Sequence, residues 1–157
     1  MAFSIPPVEL RPARAGDAEA IADVLLASRK AYLPYLPSLR SDDNIRAWVR
    51  DTVMRTETLT VAVAGKAVVG FVALRDGEDM AWITHLYLLP SHVGQGIGSR
   101  LLARALTGQR RPVRLYTFQQ NRGARRFYER HGFVAIAFGD GSENEERCPD
   151  VLYELAH

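Results

Sequence analysis

The chain has 157 residues, 47% of them hydrophobic and 24% charged, which is enough for one domain with its own core and ordinary for a soluble globular protein. A net charge of +2, with arginines interleaved among acids, excludes a basic nucleic-acid-binding stripe. A single cysteine, Cys148, excludes an internal disulfide framework, and no apolar run reaches membrane-spanning length.

The N-terminus has no basic region followed by an apolar stretch, so a cytoplasmic location is expected. One domain over residues 1–157 is expected, with no nucleic-acid or membrane partner and no metal, as a monomer or homodimer. Cys148 reads as an unreactive loop thiol, because no neighbour in sequence visibly activates it.

In chain order, Val8 to Arg14 alternates apolar and polar residues and predicts a short strand ended by Pro12. Asp17 is a plausible N-cap for a helix whose apolar face is Ile21, Val24 and Leu25 and which reaches about Arg29. The stretch Ala31-Tyr32-Leu33-Pro34-Tyr35-Leu36-Pro37 cannot be helical throughout, because each proline disfavours helix before it. It reads either as a connector tucking aromatics into the core or as a wall of a substrate pocket. Ser41 caps a second helix with Ile45, Trp48, Val49 and Thr52 or Val53 on its face.

Two β-branched runs, Thr58 to Ala64 and Ala67 to Leu74, flank Gly65-Lys66 as a hairpin. A strand from Met80 to Leu89 follows, then a helix to about Gln109, a strand from Val113 to Phe118 and a helix carrying Ala124, Phe127, Tyr128 and His131. Gly132 ends that helix, Phe133 to Phe138 and Val151 to Leu155 are strands, and an acidic loop joins them. The order predicts an α/β fold with a mixed, mostly antiparallel sheet of about six to seven strands and about four helices.

One stretch invites a ligand. After Pro90, glycines alternate at Gly94, Gly96 and Gly98 as a strand gives way to a helix, so the loop turns sharply with no Cβ in the way. The helix begins there, and its unpaired N–H groups and positive dipole end suit a phosphate. A P-loop would need Gly-Lys-Ser/Thr, whereas Gly98 precedes Ser99-Arg100. The dinucleotide fingerprint would need glycine at position 99, which is Ser99.

Two motifs together resemble a family. The strand end Leu86-Tyr87-Leu88-Leu89-Pro90 with its glycine turn, and the segment Asn121…Ala124…Phe127-Tyr128-Glu129…Gly132-Phe133, are similar to the GNAT superfamily of N-acetyltransferases. The likeness runs from Val8 to the C-terminus in element order and is densest between Ile83 and Phe133. It implies the GNAT fold, with splayed strands forming a cofactor cleft, and acetyl-CoA as co-substrate.

By that resemblance, Val93, Gly94, Gln95, Gly96, Ile97, Gly98 and Ser99 bind the diphosphate. Family loops carry Gln or Arg where this chain has Val93, so the backbone is expected to do the holding. Backbone groups of Leu86 and Leu88 would take the pantetheine arm, and the Leu88 N–H would stabilise the oxyanion. Asn121 would hydrogen-bond the same arm, cap the following helix, or do both. Tyr128 is implied as the general acid that protonates the leaving thiolate, although its composition alone suits a buried aromatic beside Phe127.

The base is less legible. An alkylamine with a pKa near 10.4 must lose a proton, at roughly 4–5 kcal/mol at pH 7. His85 has the right chemistry, but strict alternation puts Trp82, Thr84, Leu86 and Leu88 on one face and His85 on the other. A structural histidine, a water-carried proton and a carboxylate from the acidic loop therefore stand beside it. Tyr32, Tyr35, Trp82 and Thr84 are candidates for acceptor binding. The expected activity is acetyl transfer to a primary amine of a small molecule or peptide by direct attack in a ternary complex. The competing class is a non-catalytic acyl-CoA-binding or regulatory domain.

Overall fold

Val61, Phe71 and Ala73 are buried on one side of the central hairpin, and Ala62, Val72 and Leu74 on the other. Both faces of the sheet therefore need cover, which is why these strands read as nearly continuous apolar runs. The computed structural model describes residues 7–109 and 112–156. Its strands are β1 (Val8–Pro12), β2 (Thr58–Ala64), β3 (Ala67–Asp76), β4 (Ala81–Leu88), β5 (Val113–Phe118), β6 (Val134–Gly139) and β7 (Asp150–Leu155). They form one sheet in the order β1-β2-β3-β4-β5-β7-β6, antiparallel except where β4 meets β5. The expected mixed, mostly antiparallel architecture is the one observed.

Four helices cover it. Helix α1 (Ala18–Tyr32) and helix α2 (Asp42–Trp48), which continues through a wider turn over Val49–Val53, lie on one face. There Ile21, Val24, Leu25, Val49 and Val53 pack on Val61 and Phe71. On the other face, α3 (Ile97–Leu106) buries Ile97, Leu101 and Leu102, and α4 (Arg122–Arg130) brings in Tyr128. Each fully buried aliphatic side chain contributes about 1.5–3 kcal/mol, whereas an exposed ion pair contributes about 0–1. Burial holds the helices, and ion pairs only orient what lies outside them. Among the described residues no helix is long and apolar enough to cross a membrane.

Local chemistry explains most boundaries. Ser41 accepts from the Asn44 N–H at 3.1 Å and starts α2 as expected. Asp17 does not cap α1. Its carboxylate turns back to the Arg14 N–H at 2.7 Å and to the Arg11 guanidinium at 2.7 and 3.0 Å, closing the short turn over Ala15–Asp17. Helix α1 runs on to Tyr32. Helix α3 stops at Leu106, before the expected Gln109, because Thr107 turns extended and Gly108 adopts a left-handed φ of 70°.

Gly70 is required by close approach. It pairs with Leu88 at the end of β4, and a Cβ there would collide with the Leu88 side chain and stand 3.1 Å from the Tyr87 carbonyl oxygen. Gly70→Ala is expected to destabilise the chain by about 1–2 kcal/mol in urea unfolding, despite the gain in strand propensity, because Leu88 must swing away. An unchanged unfolding midpoint would show that β4 has room there.

Candidate active site

β4 and β5 are paired at only two positions, Ala81↔Val113 and Trp82↔Arg114. Beyond them the strands part around a cavity of about 90 Å³. β4 nevertheless stays paired with β3 as far as Leu88. The Leu89 N–H donates to the Val69 carbonyl at 2.8 Å, and backbone direction alternates along a strand. The N–H groups of Leu88 and Leu86 accordingly turn away from β3, toward the parting. An unpaired strand edge inside a sheet offers a ligand what a neighbouring strand would otherwise take.

The glycine loop sits at the end of that edge. Gly94 and Gly96 have φ of 85° and 80°, values that favour glycine. A Cβ on either would meet nothing within 4 Å, so the space above them is open. No side chain caps the start of α3 at Gly96, which leaves its first N–H groups available. A Cβ at Gly98 would lie 3.5 Å from Phe127 and 3.7 Å from Leu88, so α3, α4 and the end of β4 converge there. Ser99 Oγ and His131 Nε2 are 3.0 Å apart and tie α3 to α4. Val93 is 48% exposed, and the Gln95 side chain donates to the Ser91 carbonyl at 3.4 Å.

Asn121 and Tyr128 line the cleft from the α4 side. Asn121 Oδ1 accepts from the Ala124 N–H at 3.2 Å and so caps α4, while its Nδ2 donates to no described residue. Tyr128 is 8% exposed, edge-on to Phe127 and Phe133, and its hydroxyl bonds to no described residue. Burial, with a smaller contribution from Tyr87, pushes that hydroxyl well above the ordinary phenol value. It keeps its proton at any working pH.

The second face departs from strict alternation. Ala73 pairs with His85 and Leu74 with Ile83, so Thr84 is an extra residue, a β-bulge whose Oγ1 donates to the Ala73 carbonyl at 3.2 Å. Ile83, Leu86 and Leu88 pack with the α3–α4 core while Tyr87 packs with the α1–α2 core. Trp82 therefore does not share a face with Leu86 and Leu88, because the bulge shifts the register between them. Trp82 stacks on Tyr116 at 5.7 Å.

That face carries a groove of about 1000 Å³ bounded by α1, the Leu33–Arg40 connector, α2, β5 and the β6–β7 loop. It meets the cleft at Thr84, His85, Tyr87 and Tyr116. Tyr32 and Tyr35 do not line it, although Leu33, Pro34, Leu36 and Pro37 beside them do. His85 lies among Trp48, Phe71 and Tyr87, with ring centroids 5.4, 6.3 and 6.0 Å away. Its Nδ1 is enclosed and bonds to no described residue. Burial, with the charge of Arg29, lowers its pKa from 6.5 to about 4. His85 is a neutral imidazole near pH 7.

Several participants were not legible from sequence. The acidic loop is not simply solvated. Glu146 is 3.3 Å from Arg29, and Glu145 is bound by Arg40. Gly141, at φ 96°, passes so close to Arg147 and Cys148 that a Cβ would sit 2.8 Å from their backbone, which sets the course of the loop. Arg29 in the last turn of α1 reads from sequence as a helix-end charge, and nothing pairs it in advance with a residue 117 positions away.

Comparison with known proteins follows the same lines. Residues 55–135, more than half of the chain, match the acetyltransferase (GNAT) domain family. The chain is 25% identical over 154 residues to a spermidine N(1)-acetyltransferase of Thermoplasma acidophilum, covering 87% of this chain and 93% of that one. Its fold resembles the PaiA N-acetyltransferase of T. acidophilum, solved with coenzyme A, at a TM-score of 0.75 and 22% identity over 96% of this chain and 99% of that one. A putative GNAT acetyltransferase from Desulfovibrio desulfuricans superposes at 0.76, with 21% identity over 96% and 99% of the two chains. The chain belongs to the GNAT acetyltransferases. It is an acyltransferase whose acyl donor is acetyl-CoA. The uncapped start of α3 and the unpaired edge of β4 fit a donor with a diphosphate and an amide-bearing arm.

The depressed pKa of His85 has a stability consequence. In the unfolded chain it binds a proton near 6.5, and in the folded chain only near 4. The unfolded state binds more protons in that window, so stability falls as pH drops from 6.5 toward 4, by up to about 3 kcal/mol. His85→Phe is expected to remove most of that loss in urea unfolding compared between pH 7 and pH 4.5. Equal acid losses in both chains would show that His85 is not held neutral.

Proposed function

We propose that the chain transfers the acetyl group of acetyl-CoA to a primary amine by direct attack within a ternary complex. The observation that carries the reading is the meeting of the β4–β5 cleft, with the free Tyr128 hydroxyl on its wall, and the groove that holds His85. In this reading the Gly94–Ser99 backbone seats the diphosphate, Leu86 and the Asn121 Nδ2 hold the pantetheine amides, and Val93 adds no side-chain bond. The donor supplies a thioester carbon open to attack.

The residues then divide the work. The Leu88 N–H donates to the acyl oxygen and stabilises the charge that grows there. Tyr128 gives its proton to the departing sulfur and regains one from solvent, and its raised pKa keeps it protonated until then. His85 lies on the face opposite Leu86 and Leu88, as alternation expected, and faces the groove rather than the cofactor core; the groove, which meets the cleft, is what brings it to the acceptor. Its Nδ1 is enclosed, which leaves Nε2 to act.

Magnitude decides how His85 acts. Moving a proton from an alkylammonium of pKa near 10.4 to an imidazole of pKa about 4 costs about 9 kcal/mol, far more than the roughly 5 kcal/mol of drawing the neutral amine from solution at pH 7. The amine enters neutral and His85 Nε2 accepts its hydrogen bond; as the N–C bond forms and the nitrogen turns acidic the proton moves onto Nε2, and it leaves from that same nitrogen to water when the product departs. Thr84 borders this side, whereas Trp82, stacked on Tyr116, lines neither cavity, and Tyr32 and Tyr35 stand outside the groove. The spermidine acetyltransferase relative makes polyamines the acceptor class against which this groove is to be compared.

Tyr128→Phe is expected to lower turnover about 10²-fold or more while calorimetry with CoA gives an unchanged dissociation constant. Unaltered turnover would remove Tyr128 from the chemistry. For an alkylamine acceptor, kcat/KM is expected to rise with unit slope up to the amine's own pKa, with no inflection between pH 6 and 7. Such an inflection, abolished in His85→Gln, would show that His85 titrates with an ordinary pKa and is not the neutral acceptor described.

A further inference from the structure

The acceptor groove has a chemistry of its own. Its charged residues balance: Arg29, Lys30 and Arg40 face Asp42, Glu145 and Glu146. Two of the three carboxylates are already engaged, Glu146 by Arg29 at 3.3 Å and Glu145 by Arg40. The third, Asp42, lies exposed in the first turn of α2, where the helix dipole favours it. A polycation therefore finds no uncompensated row of acids, and at the inner end it meets the field of Arg29 beside His85.

Most of the remaining lining residues are apolar, with Ser38, Asn44, Thr84 and His85 among them as polar groups. Leu33, Leu36, Ile45, Trp48 and Phe118 line the groove. Trp48, Leu39 and Tyr116, which also border it, are 39%, 49% and 60% exposed. Large apolar side chains left open to water around one concavity mark a binding surface, and about 1000 Å³ is at the upper end of the range for a small-molecule site. Trp48 stands edge-on to His85 at 5.4 Å, so a ring lying against Trp48 would hold a short-tethered amine near the imidazole.

We propose that the acceptor is a small primary amine on a neutral, apolar body of one or two rings, and that the groove selects against polyamines. This rests on the acetyl-transfer reading above and names the substrate class of the same site. Selection has two parts. Trp48 and the leucines of the connector take the apolar body, and the Arg29–Glu146 and Arg40–Glu145 pairs deny carboxylates to a polycation.

The test is equilibrium binding to the CoA-loaded full chain, with 2-phenylethylamine and spermidine as probes. Phenylethylamine is expected to bind about tenfold more tightly. Spermidine binding as well or better overturns the proposal, as does failure of both probes to bind at about 10 mM. Trp48→Ala should weaken phenylethylamine about fivefold and leave spermidine within about twofold, with Trp48→Phe restoring the loss. Arg40→Ala frees Glu145 from an exposed pair whose loss leaves folding intact, and should tighten spermidine about threefold without altering phenylethylamine. Unchanged spermidine affinity in that variant overturns the charge-balance half. These readouts involve no acetyl transfer, so failure of the catalytic reading shows separately, as no thiol release from acetyl-CoA with phenylethylamine saturating.

Discussion

The structure depends on a hydrogen-bonding ladder that is interrupted. β4 and β5 share two paired positions and then diverge, and this leaves unpaired backbone in the middle of a seven-stranded sheet. Buried N–H and C=O groups without partners are expensive, so such an edge persists only where something else supplies the bonds. The same divergence makes room for Tyr128 and Asn121 to reach the cleft from α4. It also separates the sheet into a β1–β4 part and a β5–β7–β6 part, each held by its own antiparallel ladders with bulges in β2–β3, β3–β4 and β6–β7. The glycine loop lies at the open end, where α3 begins without a side-chain cap.

One physical cause produces two opposite outcomes across this sheet. Burial raises the Tyr128 hydroxyl and lowers the His85 imidazole, because in each case it disfavours the charged form. The phenol holds its proton and the imidazole gives its proton up, so a donor and an acceptor face the two cavities without either being ionised. Arg29 deepens the effect at His85 while its partner Glu146 anchors the acidic loop at the groove. That loop is tied down by paired charge and by the close passage of Gly141 rather than by a core of its own.

Membership in the GNAT family rests on residues 55–135, which include the glycine loop and the Asn121–Tyr128 helix. The groove on the other face draws most of its walls from outside that match. Its walls come from the proline-punctuated connector, from Trp48 and from the β6–β7 loop. It is there that relatives at about one-quarter identity have room to diverge in what they take.

The sequence alone determined the order of elements, the Gly65-Lys66 hairpin, the Ser41 and Asn121 caps and the glycine turn before α3. Each of these is written in residues a few positions apart, where periodicity, glycine conformation and capping are local physics. Tertiary structure alone decided three things. The bulge at Thr84 shifts the facing of β4, because it arises from register against β3 and nothing in the strand itself announces it. Asp17 turns from cap to partner of Arg11, because an arginine in β1 competes for it. The Arg29–Glu146 and Arg40–Glu145 pairs join residues more than 100 positions apart. Their charges read as solvated until the fold brings them together, since sequence patterns register neighbours along the chain and these interactions are made across it.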